Sequence, residues 1–319
     1  MAYETGVSTS EEDLLGKIAT FAAARGWTVH TGGLGGDAPS GQVSFGSDDI
    51  WVHAIAVGAS DRIHFQPATG YTSGGATSFE DHPGSPDTSG SANTFGRFEA
   101  IPGPHTAYYL FGNGSSPRYI HCVVEVSSGI YSHWHFGTVE KFGTYTGGGY
   151  CTSLIWSGAV STSRPPFASA GAAGGPPMTS VHAQWFRTDG VLGAGSPNWT
   201  REFGPMQNSS QVANLRAPES NLWLGGLMPI TQRTILAPIF LRKNLTVSVP
   251  GRNVLLGRVQ DTRLVSMEFH SGGDEITIGS DVWKIFPPRA KNTLPVDNTM
   301  TTFTTTSSGY HGLAFRKFS

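Results

Sequence analysis

Charge is scarce in this chain. Only 14% of its 319 residues are Asp, Glu, Lys or Arg, against roughly 25% in ordinary soluble domains. The 21 basic and 23 acidic residues leave a formal net charge of −2. Such a balance offers no basic excess to neutralise a phosphate backbone, which argues against nucleic acid as a partner. Cysteine is nearly absent. Cys122 and Cys151 are too few for a disulfide framework, and no C-x-x-C is present for zinc or redox chemistry. They read as two buried thiols, or as one bridge if their strands are neighbours. No apolar run approaches the ~18 residues needed to cross a bilayer, so no membrane partner is expected. The opening MAYETGVSTSEEDLL lacks the basic start and apolar stretch of a secretory signal. Synthesis in a cytoplasm is the expectation.

Catalytic signatures are missing from the sequence as well. There is no G-x-x-x-x-G-K-[ST] to cradle phosphates, no H-E-x-x-H zinc helix and no G-x-S-x-G nucleophile elbow. Gly32-Gly33-Leu34-Gly35-Gly36 reads as a loop. The carboxylate neighbours Asp48-Asp49, Glu80-Asp81 and Asp274-Glu275 lie near turns. Adjacent residues of a strand point to opposite faces, so such pairs are poor acid/base partners. No catalytic residue and no cofactor is assigned from the sequence.

What the chain does have is glycine, 42 residues of it, with 18 Phe, 9 Tyr and 8 Trp. One helix is well signalled. Thr9-Ser10-Glu11-Glu12 fits a capping box. Leu14, Leu15, Ile18, Phe21 and Ala22 then share one face at helical spacing, and Gly26 suits a left-handed stop. The helix is expected over 11–25. Beyond it, short β-branched and aromatic runs alternate with Gly, Pro, Ser and Asn. Strands are expected at 27–31, 42–46, 51–57, 63–66, 107–111, 119–126, 130–139, 150–157 and 182–188. Others are expected at 234–241, 245–249, 254–259, 263–269, 275–278, 283–287 and 312–318. The fold class is therefore mainly β and sandwich-like, with two β-rich halves and one N-terminal amphipathic helix. Residues 1–160 form the first half and carry a Gly/Ser-rich arm at 72–94. Residues 161–319 form the second, beginning with an extended Pro/Gly/Ala linker. The halves meet within 157–180 and could share a sheet. The stretches 72–94 and 157–178 lack core-forming residues and read either as flexible surface loops or as extended arms that order against another subunit.

One constellation has chemical potential. In Arg118–Val139, RYIHCVVEVSSGIYSHWHFGTV, Ser127-Ser128-Gly129 reads as a hairpin turn. Ile120, Cys122, Val124 and Val126 fall on one face as core, and Tyr119, His121, Val123 and Glu125 on the other. A turn centred near Ser128 sets His121 opposite His135 and Glu125 opposite Tyr131. His121, Glu125, His133 and His135 then share a sheet face as candidate zinc or nickel ligands. The competing reading is a polar face packed against another surface. Among the tryptophans, Trp27, Trp51, Trp134, Trp156 and Trp283 read as core or near-core. Trp185 and Trp223, with Tyr71, are candidates for stacking on a glycan.

The stretch YYLFGN…RYIHCVVEVSSGIYSHWHFGTVEKFGTYTGGGY resembles a segment of tailed-bacteriophage virion structural proteins. There an extended "YLF…YVHVVVEV" pair is followed by "RHFGFG-LEK-G-WTGG" or similar. The matching residues are Tyr119, His121, Val123, Glu125, His135, Phe136, Gly137, Glu140, Lys141, Gly143, Thr146, Gly147 and Gly148. The opening helix ending in Gly26-Trp27 is similar too. So are Gly279-Ser280-Asp281-Val282-Trp283-Lys284-Ile285-Phe286-Pro287 and the final Gly312-Leu313-Ala314-Phe315-Arg316-Lys317. The resemblance implies a tail or baseplate component of the virion, made in the bacterial host cytoplasm. Its implied partners are itself, as a homo-oligomer, and other virion proteins. Alternatives are a neck, collar or head-associated virion protein, a host glycan- or receptor-binding module, and a metal hydrolase using the histidine face. Low charge with abundant aromatics suits the first reading, because charge is depleted at the centre of protein interfaces.

Overall fold

The structure is a computed structural model, and it describes residues 2–31, 41–47, 50–57, 61–73, 82–85, 96–98, 101–153, 184–187, 199–200, 236–244, 253–267, 269–290 and 311–318. The elements are β1 (Ala2–Ser8), α1 (Glu11–Ala23), β2 (Thr28–Thr31), β3 (Gln42–Ser47), β4 (Ile50–Val57), β5 (Arg62–Ala68), β6 (Gly96–Phe98), β7 (His105–Asn113), β8 (Tyr119–Ser127) and β9 (Ile130–Thr138). They continue with β10 (Glu140–Lys141), β11 (Gly149–Ser153), β12 (Gln184–Arg187), β13 (Trp199–Thr200), β14 (Ala237–Asn244), β15 (Asn253–Ser266), β16 (Glu275–Ile278), β17 (Asp281–Phe286) and β18 (His311–Lys317). The chain is mainly β and sandwich-like, with a single helix near its start among the described residues.

Three antiparallel sheets form among the described residues. A seven-stranded sheet runs β1-β7-β8-β9-β11-β12-β13, a five-stranded sheet β2-β3-β4-β5-β6, and a six-stranded sheet β10-β15-β18-β17-β16 with β14 also on β15. The seven-stranded sheet lies in the middle. One of its faces sends Leu110, Ile120, Cys122, Val124, Trp134, Phe136 and Cys151 into a core shared with the five-stranded sheet and α1. Its other face sends Phe111, Tyr119, Val123, Tyr131 and Tyr150 into a second core against Leu256, Val259, Phe286, Leu313 and Phe315 of the six-stranded sheet. A sheet covered on both sides buries successive positions, and the runs YIHCVVEV and YSHWHFG fill them with apolar residues and Ser132 on one face and with tyrosines, histidines and Val123 on the other.

The helix starts at Glu11 as expected and ends at Ala23, two residues short of the expected 25, and its N-cap is Ser10 where the capping box pointed to Thr9. Ser10 accepts from the Asp13 amide at 3.2 Å. The Asp13 carboxylate in turn accepts from the Thr9 amide at 3.0 Å, so Asp13 fills the role expected of Glu12. The stop is a Schellman close around Gly26, whose φ of 75° only glycine adopts freely. The Trp27 amide donates to Ala22 O and the Gly26 amide to Ala23 O. Trp27 then enters the first core edge-on to Phe136, with centroids 5.3 Å apart.

Two features depart from the strand pattern expected, and a third is one that pattern leaves open. β1 lies outside it; AYETGVS carries no apolar alternation, and its pairing with β7 supplies the order instead. The segments expected at 254–259 and 263–269 are one strand, β15, because Asp261 turns left-handed (φ 51°) without ending it. The two halves interlock. β12 and β13 extend the sheet built by β1, β7, β8, β9 and β11, while β10 pairs with β15. The expected strand at 245–249, and most of the 72–94 and 157–178 arms, lie outside the described residues.

Close layering depends on small residues at contact points. A Cβ at Gly112 of β7 would sit 2.7 Å from Phe21 of α1 and 3.1 Å from Ile120. Gly16, on the exposed side of the same helix, has nothing within 4 Å. Gly112→Ala should therefore lower unfolding free energy by about 1–3 kcal/mol. Gly16→Ala should raise it by about 0.5–1 kcal/mol through helix propensity. Urea denaturation of both variants at a common neutral pH checks the opposite signs.

Candidate functional site

The β8–β9 hairpin places the candidate residues as the alternation required. His121 lies opposite His135, Val123 opposite His133 and Glu125 opposite Tyr131. Gly129 takes a φ of 74° in the turn. The histidines face the six-stranded sheet, where His121, His133 and His135 are each 0% exposed. Phe315 of β18 packs against all three rings, with centroids 5.2, 6.3 and 5.1 Å away. Glu125 stands apart at the strand end. It accepts from the Tyr109 hydroxyl at 3.3 Å and the Gly129 amide at 3.0 Å, which ties the turn to β7.

Two of the rings each place one nitrogen against the opposite layer. His133 Nε2 donates to the Pro287 carbonyl at 2.9 Å, and His121 Nε2 pairs with the Thr262 hydroxyl at 2.9 Å. Among the described residues no group of three or more His, Cys, Asp or Glu is placed to hold a metal ion. Burial pushes the His121 pKa down to about 3 and the His133 pKa to about 4. It lowers that of His135 well below the usual imidazole range, with the neighbouring His121 and His133 adding to the effect. All three rings are neutral at pH 7. Burial likewise raises both cysteine thiols, so neither is a thiolate nucleophile near neutrality. The two cysteines are free, on strands separated by β9. Cys151 Sγ accepts from the Trp134 indole at 3.4 Å.

A buried charge accompanies the histidines, one that the sequence patterns do not point to. Asp261 accepts from the Tyr119 hydroxyl at 2.6 Å and from Arg316 at 3.4 Å. Arg316 also reaches Asp281. Burial and the Asp261 carboxylate both raise the Tyr119 pKa, so Tyr119 keeps its proton and donates it. Three strands of two sheets, β8, β15 and β18, thus meet at one carboxylate. The available signal was a lone Asp in a long strand-like stretch, which reads equally well as a turn.

A second group of rings lies on the outer face of the five-stranded sheet. His30, Trp51 and His53 alternate outward from β2 and β4, and Tyr71 stacks on His30 at 4.1 Å and on Trp51 at 5.4 Å. Tyr71, a candidate for glycan stacking, thus has a ring face against this sheet. Trp27, Trp134 and Trp283 are core, as expected. Trp51 instead lies over Gly46 on the outer face. Trp156, Trp223 and the Trp185 side chain lie outside the described residues.

No protein-family model matches the chain, and no curated protein matches its sequence. The geometry therefore has to be read on its own terms. The interlayer offers neutral imidazoles, protonated phenols and one paired carboxylate, with Tyr119, His121 and His133 hydrogen-bonded to partners across the sandwich. Hydrogen bonding and packing between sheets is what this set can do.

Neutral buried histidines make stability depend on pH. The unfolded rings take protons below about pH 6.5 while the folded ones do not. Their stabilisation is thus complete above about pH 6.5 and declines as pH falls toward the folded values of about 3 and 4. The loss is ~1.4 kcal/mol per pH unit for each ring still neutral. In His133→Gln the amide nitrogen can still donate to Pro287 O, but nothing titrates. Plots of unfolding free energy against pH between about 6 and 4.5 should be shallower in this variant by about one ring's share. Equal slopes would show that His133 does not contribute.

Proposed function

We propose that this chain is a structural component of a tailed-bacteriophage particle, most specifically a tail or baseplate component that assembles as an oligomer. The observation that carries the reading is the position of the histidine face. The three histidines a metal hydrolase would use are enclosed between two sheets and neutral, and two of them are hydrogen-bonded across the gap, His121 to Thr262 and His133 to Pro287. They hold layers together.

The segments that resemble phage virion proteins support the same reading. Tyr109–Gly148 runs from within β7 through β8 and β9 to the edge of β11. Gly26-Trp27 packs on Phe136. The two late segments supply Phe286 and Phe315, which meet Phe111, with Phe315 also on the histidines. Stretches far apart in the chain thus converge on one packing unit, a scaffold feature rather than a surface site. Edge strands β1, β2 and β16 are mostly exposed or half-buried, and such edges accept a strand from a neighbouring subunit.

Light scattering on the purified chain should give a mass that is an integer multiple, above one, of 33.9 kDa. Antibody raised against it should decorate the tail of purified particles in electron micrographs. A strictly monomeric chain, found only in the soluble fraction and never on particles, would overturn the reading.

A further inference from the structure

The outer face of the five-stranded sheet carries an arrangement that core packing does not require. Its inner ring layer is His30, Trp51 and His53. Above it lie Tyr71 and His82, contributed by residues 69–73 and 82–85, two passes of the chain that cross the sheet. His82 stacks on His53 with centroids 3.4 Å apart and planes 18° from parallel. The two passes are also joined to each other. Thr69 donates to the Pro83 carbonyl through its amide at 2.9 Å and its hydroxyl at 3.0 Å. The Thr72 amide donates to His82 Nδ1 at 3.3 Å.

These partners fix the protonation of both rings. A backbone amide can only donate, so His82 Nδ1 carries a lone pair and no proton. The Gly70 carbonyl, 3.2 Å from His53 Nε2, can only accept, so that nitrogen carries the hydrogen. His53 Nδ1 then accepts from the Ser44 hydroxyl at 2.8 Å. Both rings are buried, 1% and 4% exposed. Among the described residues, the titratable groups facing them are His30 from β2 and Tyr71 from the crossing segment, with His64 of β5 on the same sheet face one residue pair further along, and Ser44 of β3 and Gln66 of β5 uncharged. Charge on His82 or His30 opposes a proton on His53, and burial already lowers its pKa to about 3. A proton arriving at His82 Nδ1 removes the acceptor of the Thr72 amide and sets a cation face to face with the second ring.

We propose that the His53–His82 stack is an acid-released clasp: protonation of His82 separates the 69–73 and 82–85 passes from the sheet while the three-layer sandwich stays folded. Only local contacts are lost, because neither 69–73 nor 82–85 is itself a strand; both lie over rings of β2 and β4. Release uncovers a flat surface made by His30, Trp51 and His53. This inference does not depend on the particle reading and stands or falls separately.

Amide hydrogen exchange on the full chain, from neutral pH to about pH 4.5, tests it, expressed as protection factors to remove the intrinsic pH dependence. Protection at Thr69 and Thr72 should fall at least tenfold as His82 titrates, while amides of the β8–β9 ladder keep theirs. In His82→Asn the side-chain oxygen takes the place of Nδ1 and does not titrate. Thr72 should then stay protected until the ladder itself opens. The His82 C2 proton resonance of the unaltered chain gives an independent check, since its titration midpoint must coincide with the loss at Thr72. The clasp is overturned if Thr69 and Thr72 open only with the ladder, if the variant loses protection at the same pH, or if the two midpoints differ.

Discussion

A β-sheet buried on both faces has no solvent side on which to leave a polar group, and this constraint shapes the rest of the molecule. In a two-layer sandwich, strand alternation sorts residues into core and surface. Here the central sheet sorts them between two cores of different character. Toward the five-stranded sheet the contacts are aromatic on aromatic: Trp134 lies 5.4 Å from Phe65 and Phe136 5.1 Å from Phe45. Toward the six-stranded sheet, rings alternate with polar groups such as Tyr119, His121 and His133, which find partners across the gap. Burying an unpaired hydroxyl or amide costs roughly 1–3 kcal/mol, so the second interface is held to one register more tightly than the first. Surface pairs such as Arg258–Glu140 add ~0–1 kcal/mol each. Truncating a packed ring such as Phe315 costs roughly 3–5 kcal/mol, so the rings set the strength of the sandwich and the polar contacts set its alignment.

Asp261 shows how alignment is achieved. Its left-handed backbone keeps β15 running while aiming the carboxylate inward, toward Tyr119 on the central sheet and Arg316 on β18. Two neighbours share one buried charge. Removing either would leave it short of a partner, which is far more costly than replacing the whole set with apolar groups. A shift of β15 by one residue would do the same, since it would turn Asp261 to the opposite face and bring Thr262 away from His121. The contacts to Tyr119 and His121 both come from β8, so one hairpin strand is gauged at two successive inward positions.

Much of this was legible in the sequence, and what was not has a physical cause. The α1 face, the Gly26 stop and the His121–His135 register follow from local rules: helical spacing, a left-handed requirement and a period of two. The mainly β character followed from punctuation. β1 was not legible because Thr5, Gly6 and Val7 carry no shared preference; β7, a hundred residues later, gives them their order. The continuity of β15 through Gln260-Asp261-Thr262 was hidden for the same reason, since those residues favour a turn unless Tyr119 and Arg316 are present to satisfy the carboxylate. The division into two halves left open whether they share a sheet. β10 and β12 each pair across it, and no composition shift records which strand a hydrogen bond will join.

The histidines mark the limit of such reading most clearly. Three imidazoles on one strand pair look the same in sequence whether they face an ion, water or another sheet. What decides is the opposing surface, and here it comes from residues far along the chain, Thr262 and Pro287. On the outer face, His53 beneath His82 is held neutral by the same loss of hydration, yet its setting differs in what a proton would cost the fold. Charging an inner ring has to pull the central and six-stranded sheets apart, because Phe315 lies directly against it. Charging an outer ring has only to displace a pair of short passes of chain. Burial alone therefore does not distinguish a structural histidine from a responsive one. The size of the unit that must move to readmit water does.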